Sequence, residues 1–277
     1  MIHKEGTFKC IKDSEIYYQN WLPDNTKKAV ILLIHGMAEH SGRYMNLVNH
    51  MIPKGYAIYG FDHIGCGKSS GKRSYIDQFK DFTDIINVYY NMIKKWEPDL
   101  PIIILGHSMG GLITSNYLLD HQNNFQGAVL SGPPVKVPEN LSYFSIMAGS
   151  IVSGIYPSIG LMKINPNDIS RDKNVVQAYI DDPLVYKGGI SARLLSELIK
   201  AMKRISNNSH QISLPLFIVH GGADKLAEPL GSQLLYEKAA STNKGIKIYD
   251  GLYHEVMNEP EHKQVLNDIE SKIELFI

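Results

Sequence analysis

The stretch "PIIILGHSMGGL", Pro101–Leu112, decides how this chain is read. Three isoleucines and a leucine run together, and then Gly106, Gly110 and Gly111 surround Ser108. Isoleucine is β-branched and stiff, so Ile102–Leu105 predicts a short strand buried on both faces. Past Gly111, the residues Leu112, Ile113, Tyr117 and Leu118 recur at helical spacing, which predicts a helix beginning near Met109. The glycines therefore fall in a strand-to-helix turn of only a few residues. Such a turn strains the residue at its apex and needs neighbours without a Cβ, so that strand and helix can approach closely. Gly106-His107-Ser108-Met109-Gly110 fits G-x-S-x-G, which holds a serine hydroxyl at a helix N-terminus where N–H groups and the helix dipole favour negative charge. The bare pattern is weak, and its meaning comes from the strand before it and the helix after it. If Ser108 is a nucleophile, the rest of the chain must supply a base, an acid and oxyanion donors.

Length and composition set the frame. The 277 residues suffice for one large α/β domain with an insertion. Lys plus Arg equals Asp plus Glu at 28 each, and a formal net charge of zero argues against a nucleic-acid partner. Two cysteines, Cys10 and Cys66, make no disulfide framework and suit a reducing, cytoplasmic setting. The N-terminal "MIHKEGTFKC" has no apolar run and does not read as a secretory signal. From Asn140 to Met162 no residue is charged, but serines, three glycines and Pro157 speak for an amphipathic or buried segment rather than a membrane span.

Outward from the opening stretch, strand-like runs alternate with helical patterns. They are Ala29–Gly36, Tyr56–Asp62, Gly127–Pro134, Leu214–Asp224 and Ile246–His254. Several are continuous apolar runs, as in a mostly parallel central sheet covered by helices on both faces. "GTFKCIKDSEIYYQNWLP", near the N-terminus, predicts an antiparallel hairpin at one edge. The alternation breaks between about Val135 and Ser213, where no strand-like run is found. The uncharged stretch there is followed by a polar patch, "NPNDISRDKNVVQAYIDDP", and by a helical pattern, "SARLLSELIKAMKRI". The expected division is a core of residues 1–134 and 213–277, with residues 135–212 a helical cap over the C-terminal edge, where ligands of open α/β sheets bind.

A serine needs a base, and the base needs an orienting acid. Behind a nucleophile elbow the chain order is Ser, then Asp or Glu, then His. Asp224 directly follows the strand "LPLFIVHGG", and His254 lies in the loop after the next strand. Both fall on the sheet edge that carries Ser108. Asp250 lies only four residues from His254 and reads as a turn residue, and Asp62 precedes the serine in a glycine-rich segment. His107 reads as a packing residue under the turn. The backbone N–H groups of Met37, after the first central strand, and of Met109, after the serine, are the expected oxyanion donors. Two decoys fail. "GCGKSS" has Asp62 where a P-loop requires its first glycine, and "HEVMNEPEH" has Asn258 where H-E-x-x-H requires histidine.

Together, "HGMAEHSGRY" (His35–Tyr44), "GHSMGG" (Gly106–Gly111), "HGGADKLAEP" (His220–Pro229) and "YHEVMNE" (Tyr253–Glu259) resemble the monoacylglycerol lipases, or monoglyceride lipases, of the α/β-hydrolase fold. The resemblance covers nearly the whole chain and is weakest in the first part of the cap. It implies hydrolysis of monoacylglycerols to fatty acid and glycerol through an acyl-enzyme on Ser108, without a cofactor or metal. It implies an apolar acyl tunnel and a cap in transient contact with membranes. By the same resemblance Ser108, Asp224 and His254 are the triad, Met37 and Met109 the oxyanion hole, and Glu39, Arg43 and Tyr179 polar groups near the glycerol end. A general carboxylesterase or lysophospholipase would use the same triad. Glu39 and Arg43 are also spaced as a simple helical ion pair, and Tyr179 as a cap core residue. Met257 stands where the mammalian pattern often has a second histidine at the glycerol pocket, and Cys66 where a histidine is common. The expected membrane contact runs from Leu141 to Leu161, through Phe144, Ile146, Met147, Ile151 and Ile155. The oligomeric state is left open.

Overall fold

The structure is a computed structural model that describes residues 1–137 and 151–277. β1 (Ile2–Lys9) and β2 (Glu15–Leu22) form the expected antiparallel hairpin. β3 (Ala29–Ile34), β4 (Tyr56–Phe61), β5 (Ile102–His107) and β6 (Gly127–Ser131) follow. Next come two short strands, β7 (Gly160–Met162) and β8 (Ile190–Ser191), and then β9 (Leu216–Gly221) and β10 (Lys244–Tyr249). Eight of these make one sheet in the order β1-β2-β4-β3-β5-β6-β9-β10. The hairpin joins it antiparallel through β2 and β4, and every pair from β4 to β10 is parallel.

Every residue of β3, β4, β5, β6 and β9 is buried, which accounts for their unbroken apolar runs. Alternate side chains enter two separate cores. Val30, Leu32, Ile102 and Ile104 pack with α2 (Lys80–Trp96), α3 (Met109–His121) and a further helix, Ala192–Asn208. Ile31, Leu33, Ile103 and Leu105 pack on the opposite face with α1 (Met45–Met51) and the C-terminal helix, His262–Ile273. Each isoleucine that leaves water contributes roughly 1.5–3 kcal/mol, so the central strands are a rigid floor for whatever stands on their ends.

Between β6 and β9 the chain departs from the sequence reading. The polar patch hides a helix, α4 (Lys173–Asp181), capped by the Asp172 carboxylate, which accepts from Asn174 N–H at 2.8 Å. The second helical pattern is α5 (Ala192–Asn208), with the Ser191 hydroxyl as its cap. β7 and β8 pair antiparallel, so the segment is not purely helical. Three residues are too short a run to leave an alternating pattern, and all of β7 is exposed. Of the expected membrane-facing residues, Phe144, Ile146 and Met147 lie outside the described residues. No helix among the described residues is long and apolar enough to cross a membrane.

Candidate active site

The glycines around Ser108 are explained by collisions that side chains would cause. A Cβ on Gly110 would strike the carbonyl oxygens of Ile34 and His35, and one on Gly106 would strike the Gly110 carbonyl and the Thr114 hydroxyl. Helix α3 thus starts against the ends of β3 and β5. Ser108 has φ 54° and ψ −124°, a strained conformation at the apex, and its N–H donates to Ser131 O on β6 at 2.8 Å.

The structure brings Ser108, His254 and Asp224 into one hydrogen-bonded series. Ser108 Oγ–H donates to His254 Nε2 at 2.7 Å, and His254 Nδ1–H donates to Asp224 Oδ2 at 2.6 Å. Asp224 sits in the loop after β9, where its Oδ1 accepts the N–H groups of Leu226 (2.8 Å) and Ala227 (3.0 Å). A second imidazole, His220, reaches Asp224 Oδ2 at 3.0 Å. Burial works to raise the Asp224 pKa, but the hydrogen bonds from His220, His254 and Ala227 outweigh it and hold the carboxyl far below its usual range. Burial also works against a charged His254, yet the Asp224 hydrogen bond and charge, with Glu255 and Glu39 beyond it, raise its pKa above 6.5. Such a series lets the imidazole take a hydroxyl proton and share the resulting charge with the carboxylate.

The rival residues fall elsewhere. Asp250 is exposed, and Asp62 is structural: its Oδ1 accepts the N–H and hydroxyl of Ser41, and its Oδ2 accepts Lys68 N–H. His107 is buried beneath the turn, beside Ser131 Oγ at 3.1 Å, with its ring 4.9 Å from that of His254. Burial pushes its pKa down to about 3, so it is neutral.

A cavity of about 500 Å³ opens over this series. Apolar side chains dominate its wall, among them Met162, Ile164, Leu195, Leu198, Ile199 and Met202 from the segment between β6 and β9. Met37 and Met109 also line it, and Met109 is the first residue of α3, so its N–H has no carbonyl partner within the helix. At the polar end stand Glu39, Arg43 and Tyr179, together with Glu255, which sequence reasoning missed. Arg43 Nη1 donates to Glu39 Oε2 at 2.8 Å, so the helical-spacing pair is real. The same guanidinium grips Glu255 with both arms, at 2.7 and 2.9 Å, and its carbon lies 4.8 Å from the centre of the Tyr179 ring. Burial works against the Arg43 charge, but Glu255 and Glu39 hold it fully protonated. Burial raises the Glu39 pKa, whereas the Arg43 charge and hydrogen bond hold that of Glu255 down against its own burial. Tyr179 is both a packing residue of the segment between β6 and β9, buried with Ile169, Val176 and Val185, and a wall of the cavity. The signal for Glu255 was its place directly after His254, within the quoted "YHEVMNE".

Parallel strands, strained serine turn and series of three define an α/β-hydrolase. The family model described as serine aminopeptidase, S33, matches residues 25–261, and the chain belongs to that serine hydrolase family. It is 35% identical to the monoacylglycerol lipase of Mycolicibacterium smegmatis over 97% of this chain and 96% of that protein. It is 32% identical to the monoglyceride lipase of Homo sapiens over 95% of this chain and 86% of that one. The crystal structure of the monoacylglycerol lipase of Paleococcus ferrophilus superposes with a TM-score of 0.85 at 28% identity, covering 94% of this chain and 99% of that chain. With such relatives over nearly its whole length, the protein is a carboxylic ester hydrolase.

Proposed function

We propose that the protein hydrolyses monoacylglycerols to fatty acid and glycerol through an acyl-enzyme on Ser108. The observation that carries this reading is the Ser108–His254–Asp224 series, with contacts of 2.7 and 2.6 Å, at the floor of an apolar cavity with one polar end. His254 Nε2 takes the Ser108 proton as Oγ attacks the ester carbonyl. The N–H groups of Met37 and Met109 receive the developing oxyanion, an interaction of a few kcal/mol per donor. Collapse breaks the bond to glycerol, whose oxygen takes the proton back from His254. Water, deprotonated by the same imidazole, then releases the fatty acid. The apolar wall suits an acyl chain, and Glu39, Arg43 and Tyr179 suit the glycerol hydroxyls.

Residues 135–212 act in this reading as a cap that forms the acyl wall. Ile151, Ile155, Tyr156, Ile159, Leu161 and Met162 are exposed apolar side chains on it, between 46% and 67% accessible, and they suit transient contact with a lipid surface. Cys10 and Cys66 are free thiols, in keeping with a reducing, cytoplasmic setting.

The test is fatty-acid release from a long-chain monoacylglycerol beside a short-chain nitrophenyl ester, for wild type and Ser108→Ala. Ser108-dependent turnover of the glyceride is expected. Ser108-dependent turnover of the short ester alone would make the protein a general carboxylesterase instead.

A further inference from the structure

We propose that Glu255, through its two-armed pairing with Arg43, is a positioning residue that locks the His254 loop to the Gly36–Met37 loop. The inference rests on the triad reading above and extends it to a side chain that does not touch the reacting atoms.

The geometry is a continuous chain of buried bonds between the two loops. Glu255 follows His254 directly. Arg43 Nη1 and Nη2 donate to its two oxygens at 2.7 and 2.9 Å, and Nη1 also donates to Glu39 Oε2 at 2.8 Å. Glu39 Oε1 in turn accepts Gly36 N–H at 2.6 Å and the Tyr44 hydroxyl at 2.7 Å. Gly36 precedes Met37, the proposed oxyanion donor, and a Cβ on Gly36 would stand 3.2 Å from Ser108 Cβ. The side chains of Arg43, Glu39 and Glu255 are only 9%, 5% and 6% accessible. The Glu255 end is braced. Asn258 Nδ2 donates to Glu255 Oε2 at 2.9 Å, and Asn46 Nδ2 donates to Asn258 Oδ1 at 3.1 Å.

A guanidinium between two carboxylates fixes angles as well as distances, because the fork geometry allows one arrangement. Base and oxyanion donors lie on different loops, and their relative placement must hold to a fraction of an ångström, since a shift of about 1 Å can cost a hundredfold in rate. The cluster also holds Glu255 ionised through Arg43, and that carboxylate helps to raise the His254 pKa. It faces His254 together with Asp224 from the β9 loop, His107 from β5, and Tyr179 of α4 above Arg43.

Glu255→Gln keeps the size and one carbonyl acceptor but removes the charge and the symmetric grip. It is expected to lower kcat about tenfold to a hundredfold on both the long-chain monoacylglycerol and the short nitrophenyl ester, with KM little changed. The acid limb of kcat/KM is expected to move to lower pH, and Glu255→Asp to recover part of the loss. Asn258→Ala, which removes only the brace, is expected to act in the same direction by less. A lower Tm with kcat and the acid limb unchanged would overturn the proposal in favour of a purely structural role. A KM rise confined to the glyceride would overturn it in favour of direct headgroup contact. Ser108→Ala is run alongside: if that variant keeps turning over, the triad reading itself fails, whereas a dead Ser108→Ala beside an unaltered Glu255→Gln defeats the positioning role alone.

Discussion

The β5–α3 turn and the segment between β6 and β9 face each other across one cavity, yet they are built in opposite ways. The turn stands on strands with every residue buried, and its Gly106 and Gly110 leave no room for a single added carbon. Ahead of α5, which packs into the main core, the segment holds the exposed strand β7 and a set of exposed isoleucines, and its own small core is Ile169, Val176, Tyr179 and Val185. Close packing makes a site geometrically exact and intolerant of change, whereas a thinly packed segment opens at little cost and tolerates substitution. The proposed chemistry belongs to the first region and the proposed choice of substrate and surface to the second.

If that division holds, substitutions should sort by region. The largest effect is expected at the turn: Ser108→Ala should lower kcat on any ester by roughly 10⁶-fold, with Asp224→Asn next at about 10⁴, both read by steady-state kinetics with Tm as the control. Equal losses for residues of the segment would erase the contrast. The pH profile comes next. His254 must be neutral to accept the Ser108 proton, and its pKa is raised above 6.5 by Asp224 against the pull of burial. Activity should therefore be present above that raised pKa and fall away as pH drops through it, so an acid limb below 6.5 would contradict the electrostatics described. Across the cavity, Tyr179→Ala should raise KM for the monoacylglycerol several-fold through lost packing on Arg43 and leave the short ester less affected; an equal kcat loss on both substrates would place Tyr179 with the chemistry instead. The smallest effect on catalysis is expected from Ile155→Asp, a residue 65% exposed. It should weaken co-sedimentation with phospholipid vesicles and leave Tm and short-ester turnover unaltered, and unchanged vesicle binding would remove this face from the lipid contact.

The same division explains what the sequence disclosed. Strands buried on both faces can hold only apolar residues, so β3, β5, β6 and β9 announce themselves, and the turn at Ser108 is legible because only glycine fits its neighbours. Asp224 and His254 follow from chain order once the turn is placed. The segment was read less well. Helix α4 is only nine residues long and buries only Val176 and Tyr179, so its apolar stripe is faint beside the signal of its Asp172 cap. β7 and β8 are too short to alternate. Glu255 escaped because its partner Arg43 lies 212 positions away, and no local pattern marks a contact of that range.

The most direct test of the central claim is to label the protein with a fluorophosphonate, map the modified residue by peptide mass, and follow monoacylglycerol hydrolysis as labelling proceeds. One phosphonyl group on Ser108, with activity lost in proportion to labelling, is the predicted result. A label on another residue, or hydrolysis that continues in fully labelled protein, would contradict it.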